Sequence, residues 1–260
     1  MSSYNVRIKT YNDKSRQITT FSRDVKRDFK QQKVEVSSPA TLKEAERRAK
    51  KNVRDSATRA KHKIYDLARA NADRFQWFVT LTFDPQRVNS FDYDEVCKKV
   101  SNFCDVCRRN CDNLVYIGVP EKHKSGRYHY HFLMGNCENM NFVQSGYKTK
   151  AGNEIYNLGN YKWGFSTATR IVDQNRASAY ITKYLTKDLC GFLKNRKKYV
   201  ASRNLKNPEI EYLLENLWEV EPALEQNSDW KKEVDYKIYG YRHKMKIYEV
   251  DPSRADEVRL

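Results

Sequence analysis

The segment Tyr128-His-Tyr-His-Phe-Leu-Met134 alternates bulky rings with imidazoles, and a two-residue period is the pattern of a strand. On a strand, His129 and His131 face one side, while Tyr128, Tyr130 and Phe132 face the other. One face therefore packs on a core and the other presents two imidazoles together. Glu121 ends the apolar run Leu114-Val-Tyr-Ile-Gly-Val119, which reads as the preceding strand. A turn at Ser125-Gly126 folds Glu121 back beside the His pair.

The neighbouring segments extend the pattern. Phe75-Gln-Trp-Phe-Val-Thr-Leu-Thr-Phe83, closed by Asp84-Pro85, reads as a buried strand, and Trp163 to Val172 as another. Residues 135–162, rich in Gly, Asn and Lys, predict a loop with a short hairpin. Lys231 to Glu249 predict a strand pair turning at Gly240. Asp92 or Asp94 starts a helix with Val96, Val100, Phe103, Cys104, Cys107 and Cys111 inward, and residues 174–188 predict a second helix. Upstream, Leu42, Ala45, Ala49, Val53, Ala57, Ala60, Ile64 and Leu67 recur at spacings of three and four, the stripe of a long amphipathic helix ending near Asn71. Either Ser38 with Pro39 or Thr41 with Glu44 caps its start. Residues 1–37 carry only short apolar alternations. The pattern is α+β, a central antiparallel sheet flanked by helices, divided as a basic arm and long helix (1–74), a core (75–205) and a C-terminal extension (206–260) that packs on or completes the core.

Charge narrows the class of partner. The 260 residues hold 49 Lys+Arg against 33 Asp+Glu, a net charge of +16, which points to a polyanion such as nucleic acid. Residues 1–74 carry 20 basic and 9 acidic side chains, residues 75–190 carry 15 and 11, and residues 191–260 carry 14 and 13. Most of the excess is N-terminal, as in an electrostatic arm. The cations of the long helix, among them Arg47, Arg48, Lys50, Lys51 and Arg54, form a solvated face, a DNA-backbone contact or an arm across the core. With 18 Tyr, 11 Phe and 4 Trp, the chain has the large side chains a core requires. It has no apolar run long enough for a membrane span and no apolar N-terminal stretch, so a cytosolic location is expected.

Two constellations carry chemistry. Two imidazoles and one carboxylate with open positions suit a divalent metal that polarises a phosphoryl or carbonyl oxygen, although the ligand set alone does not select the metal. The competing reading has one His hydrogen-bonded against the core and the other exposed. In Ala179-Tyr-Ile-Thr-Lys-Tyr-Leu-Thr-Lys187, Tyr180 and Tyr184 share a helix face, with Lys183 and Lys187 beside it. A phenol is a poor nucleophile near neutrality unless a cation or metal favours its phenolate. The competing reading has both rings packing on a sheet. Cys104-x-x-Cys107-x-x-x-Cys111 with Cys97 resembles part of a zinc cluster, but the repeat lies on a predicted helix, where free Cys packs as a small hydrophobe.

The order of the motifs, a strand ending Thr80-Leu-Thr-Phe-Asp84, then Glu plus His-x-His, then Tyr-x-x-Lys-Tyr, resembles that of the HUH endonucleases. Over residues 60–205 the chain is similar to the rolling-circle replication initiators of single-stranded DNA phages and small plasmids, including Lys197-Lys-Tyr-Val-Ala-Ser-Arg203 after the Tyr helix. The first 40 residues and the last 50 lie outside the resemblance.

The resemblance implies an HUH, RRM-like sheet and metal-dependent nicking and rejoining of single-stranded origin DNA. It implies Mg²⁺ or Mn²⁺ held by His129, His131 and Glu121, with His123 a weaker candidate. Tyr180 is implied as nucleophile, Lys183 as the cation at the scissile phosphate and Tyr184 as a second nucleophile. Thr80, Thr82 and Asp84 serve structure or DNA positioning, and Lys124, Arg127, Lys187, Lys197, Lys198 and Arg203 are expected on DNA. The implied setting is the bacterial host cytoplasm. No Gly-x-x-x-x-Gly-Lys-Ser/Thr is present, so unwinding and synthesis fall to a host helicase and polymerase. Two alternatives stand beside it. One is an HUH relaxase or single-strand transposase, although the chain lacks the third His and motif order usual in relaxases. The other is a non-catalytic basic nucleic-acid-binding sheet using Tyr and Phe for stacking.

Overall fold

The computed structural model describes residues 3–26, 41–186, 189, 193, 196–238 and 241–254. It forms two compact units, one of residues 1–38 with 207–260, the other of residues 39–206. The chain opens with β1 (Ser3–Thr10) and β2 (Arg16–Lys26), an antiparallel pair in which Ile8 lies opposite Ile18. Strands thus occupy a segment whose alternations, by themselves, gave no firm structure.

In the unit of residues 39–206, α1 (Leu42–Arg69) begins at Thr41, whose side chain accepts the Glu44 N–H at 3.2 Å. The alternative start at Ser38-Pro39 falls outside the described residues. Then follow β3 (Trp77–Phe83), α2 (Tyr93–Asn110), β4 (Val115–Lys122), β5 (Tyr128–Gly135), β6 (Phe142–Lys148), β7 (Glu154–Leu158) and β8 (Gly164–Arg170). The unit closes with α3 (Gln174–Ile181), a 3₁₀ turn at Thr182–Tyr184 and the short β9 (Val200–Ala201). The strands form one antiparallel sheet in the order β6-β7-β8-β3-β5-β4-β9.

Alternation along β3 sends Trp77, Val79, Leu81 and Phe83 into the core and leaves Phe78, Thr80 and Thr82 on the opposite face. Ring contacts of Phe103 with Phe132 and of Tyr93 with Tyr128 pack α2 on the core face. Gly118 is required there, because a Cβ would run into the Phe132 ring. The buried Cys104, Cys107 and Cys111 belong to this core, and burial raises the Cys104 thiol to about 12, so it is neutral and packs as an apolar group. Among the described residues no His, Cys, Asp and Glu side chains form a metal-holding cluster. No helix among them is long and apolar enough to cross a membrane.

In the other unit, β10 (Glu209–Leu213), α4 (Leu217–Asn227), β11 (Trp230–Ile238) and β12 (Tyr241–Val250) complete a second antiparallel sheet, ordered β10-β1-β2-β12-β11. Its core gathers Val6, Ile8, Ile18, Leu224, Tyr248 and Val250. Gly240, proposed as the turn of the last hairpin, lies outside the described residues.

These units correct the sequence division at residues 74 and 205. The long helix belongs with the sheet bearing the His pair, because Ile64, Leu67 and Ala68 enter that core. Residues 209–250 pair with β1 and β2 in a sheet of their own instead of completing the core. The charge partition changes with the boundaries. Residues 39–206 hold 32 Lys/Arg against 16 Asp/Glu, and the other unit holds 17 of each, so the whole +16 falls on one unit.

Candidate active site

The site is built on the face of the sheet opposite α2. Thr80 lies across from His131 and Thr82 from His129 in the β3–β5 pair, and Glu121 lies across from His129 in the β4–β5 pair. Residues opposite one another share a face, so two hydroxyls, two imidazoles and a carboxylate gather there. The turn between β4 and β5 sets that register. Gly126 N–H donates to the His123 carbonyl at 2.8 Å and His123 N–H to the Arg127 carbonyl at 2.9 Å, with Gly126 at φ 88°, where a side chain would be strained.

Each imidazole is engaged on its Nδ1. Thr80 Oγ1 is 3.0 Å from His131 Nδ1, and Thr82 Oγ1 is 3.3 Å from His129 Nδ1. His131 Nε2 meets Glu121 Oε2 at 2.7 Å. His131 is 6% exposed and His129 half-buried. Burial pushes both imidazoles below their usual range, against the opposing pull of Glu121, and so favours the neutral, ligating form.

That donor set fits a divalent cation. Neutral imidazoles with Nδ1 fixed by a hydroxyl offer Nε2, and a carboxylate stands on the same face. The three side chains do not themselves form a convergent cluster, since Glu121 and His131 bond each other directly. His123 stands apart on the exposed turn, its Nδ1 3.1 Å from Ser125 Oγ.

Above this face lies the tyrosine segment. α3 ends at Ile181 and tightens into the 3₁₀ turn, so Tyr180 and Tyr184 do not share one regular helix; their ring centroids nevertheless stand 5.5 Å apart. The Tyr184 ring stacks on His131 at 3.5 Å, and Tyr180 meets Phe78 edge-on at 5.5 Å. The Lys183 ammonium lies 3.3 Å from the Tyr180 ring centroid. Tyr180 is 43% exposed, and hydrogen bonds, first from Lys183 and then from Tyr184, hold its phenol below the ordinary value. Burial, reinforced by the bond to Tyr180, pushes the Tyr184 phenol up. One tyrosine is thus primed to lose its proton while the other keeps its own.

Residues 76–189 match a family model of replication-associated proteins, the one that joins the ORF2 and gene-2 proteins. The matched stretch runs from the start of β3 past the tyrosine turn and includes every side chain just described. It supports a replication-associated role. No curated protein and no solved structure matches the chain.

The basic residues expected on DNA divide by position. Lys124 is exposed on the β4–β5 turn, and the Arg127 guanidinium lies 5.5 Å from the ring of Phe91, itself exposed. β9 pairs Ala201 with Ile117 and Val200 with Gly118, so the chain before Val200, with Lys197 and Lys198, runs toward the Glu121 end of β4. Arg203 runs the other way, following Ser202, whose N–H bonds the Tyr116 carbonyl at 3.0 Å. Lys187 lies outside the described residues.

Two aromatic side chains of this face escaped the motif reading. Phe78 meets the rings of both tyrosines, and its signal was an aromatic at an outward position of β3. Phe165 on β8 lies opposite Thr82 and is 59% exposed. Only the strand register reveals that it shares the face of His129. Asp84 serves the turn after β3, accepting the Gln86 N–H at 3.0 Å.

Proposed function

We propose that the chain is a rolling-circle replication initiator that nicks and rejoins single-stranded origin DNA through Tyr180. The observation that carries this reading is the Tyr180 phenol, depressed by Lys183 and poised over a sheet face bearing His131, His129 and Glu121. The replication-associated match over residues 76–189 agrees with it. A non-catalytic nucleic-acid-binding sheet leaves that phenol and the paired imidazoles without a task.

The Tyr180 phenolate attacks phosphorus, and the P–O bond to the 3′ oxygen breaks. The departing oxygen takes a proton to become a free 3′-hydroxyl primer, and Tyr180 retains the 5′-phosphoryl group. Lys183 neutralises charge on the phosphate and orients the phenolate. Because one phosphoester replaces another, attack by a DNA 3′-hydroxyl on the phosphotyrosyl bond rejoins the strand without ATP. His129, His131 and Glu121 would hold Mg²⁺ or Mn²⁺, which supplies Lewis-acid neutralisation of a non-bridging phosphate oxygen. Thr80 and Thr82 hold the imidazoles in the ligating tautomer. Tyr184, kept protonated, holds its ring against His131 and bonds Tyr180; after the first cut it is the candidate for a second nucleophile. Unwinding and synthesis would come from a host helicase and polymerase in a bacterial cytoplasm.

Incubation with labelled single-stranded origin DNA and Mn²⁺ tests the reading. A denaturation-resistant protein–DNA adduct that disappears in Tyr180→Phe is expected, and the absence of any adduct from the wild-type protein would overturn it.

A further inference from the structure

The first half of α1 is not held by the core of its own unit. Its buried residues begin at Ala57, only Val53 ahead of it packs partly, and Leu42 is 86% exposed. At 1.5 Å per residue the 28-residue helix is about 42 Å long, so a substantial rod extends beyond that core.

Its charges are ordered. At 3.6 residues per turn, Lys43, Arg47, Lys50 and Arg54 fall within an arc of about 60°, and all four are exposed. The acidic residues of this half lie off that stripe; Glu44 is paired with Arg48 at 2.6 Å on a neighbouring one. One cation per turn repeats about every 5.4 Å along the axis, a regular array of the kind a regular phosphate backbone can meet.

We propose that this stripe docks on the phosphate backbone of duplex DNA next to the strand being cut, an inference that rests on the DNA partner of the preceding reading. Duplex is favoured over single strand by what the helix lacks. Single-strand binding relies on aromatic stacking, whereas duplex backbone contact needs only cations. Between Leu42 and Ile64 the sequence holds no Phe, Tyr or Trp. The aromatic side chains suited to splayed bases, Phe165 and Phe91, are on other elements. The two surfaces thus divide the work between holding the duplex and cutting the strand.

The test compares the full-length protein with a variant carrying Lys43→Gln, Arg47→Gln, Lys50→Gln and Arg54→Gln. A companion exchanges Lys for Arg and Arg for Lys at the same four positions and so keeps the charge. Binding to a fluorescent duplex of arbitrary sequence and to an unpaired single strand is followed by anisotropy across a KCl series, with circular dichroism confirming helix content. Each lost phosphate contact removes about 0.9 from the log–log salt slope, so the neutral variant is expected to lose roughly 3 to 4 on duplex. Its single-strand slope and nicking are expected to stay unchanged, and the companion variant to behave as wild type. An unchanged duplex slope overturns the proposal, as does an equal loss on both DNAs or an equal loss in the charge-retaining variant. Because binding is read without cutting, absence of nicking in every protein would defeat the endonuclease reading and leave the duplex result standing.

Discussion

The phenol ring of Tyr184 lies on the imidazole of His131, with centroids 3.5 Å apart and planes 16° apart. The same imidazole is bonded by Thr80 and Glu121 at its two nitrogens, so its face and both edges are fixed. Tyr184 is therefore a positioning residue for the first cut, and its ring matters more than its hydroxyl. Tyr184→Phe is expected to keep the first covalent adduct at near wild-type rate, because the stack survives. Tyr184→Ala is expected to lower that rate by tenfold or more. Single-turnover adduct formation on denaturing gels separates the two variants.

The depressed Tyr180 phenol sets a pH dependence. The phenolate is the reactive form, so the rate rises as pH passes through the Tyr180 pKa, and in the wild type that rise is complete below the pH at which a free tyrosine, near 10, would titrate. Lys183→Met removes the leading cause of the depression and shifts the rise to higher pH. The variant is expected to lose most activity near neutrality and to recover toward the wild-type rate as pH increases. A pH profile of single-turnover rates checks the direction.

Thr80 and Thr82 fix the tautomers of His131 and His129. Removing a group that orients a metal-ligating imidazole typically costs about 10- to 100-fold in metal affinity. Thr80→Val keeps the strand shape and lacks the hydroxyl, so Mn²⁺ binding followed by paramagnetic resonance is expected to weaken within that range. Chelation with EDTA is expected to abolish adduct formation in the wild type, with Mn²⁺ restoring it.

Phe165, exposed on the site face, offers a stacking surface for a base beside the scissile phosphate. Base stacking on an aromatic side chain contributes about 1–3 kcal/mol. Phe165→Ala is expected to weaken single-strand binding accordingly, and Phe165→Trp to retain it. An abasic substitution at the contacted nucleotide should weaken the wild type and leave Phe165→Ala almost unaffected.

Gly118 faces the Phe132 ring with no room for a Cβ. Overpacking of a tight core costs about 1–3 kcal/mol, so Gly118→Ala is expected to lower the urea midpoint by that equivalent. Gly118→Ala combined with Phe132→Leu should recover part of the loss.

Local sequence determined much of the fold. Thr41 and Asp92 cap the two helices that their sequence signals predict, and the alternation of residues 128–134 places both imidazoles on one face. These features depend on neighbours a few residues apart, for which period and capping chemistry suffice. The tertiary structure decided which distant segments meet. Register across β3 and β5 brings Thr80 and Thr82 to the imidazoles, and the 3₁₀ turn lowers Tyr184 onto His131. β1 pairs with β10 from the far end of the chain, so Arg7 lies opposite Tyr212. The N-terminal strands leave the charged helix that follows them in sequence and join the C-terminal hairpin, which turns an apparent basic arm into a neutral unit and gathers the whole +16 on residues 39–206. Strand periodicity fixes the face a side chain occupies, whereas the partner strand and its register are set by long-range packing that no local pattern encodes.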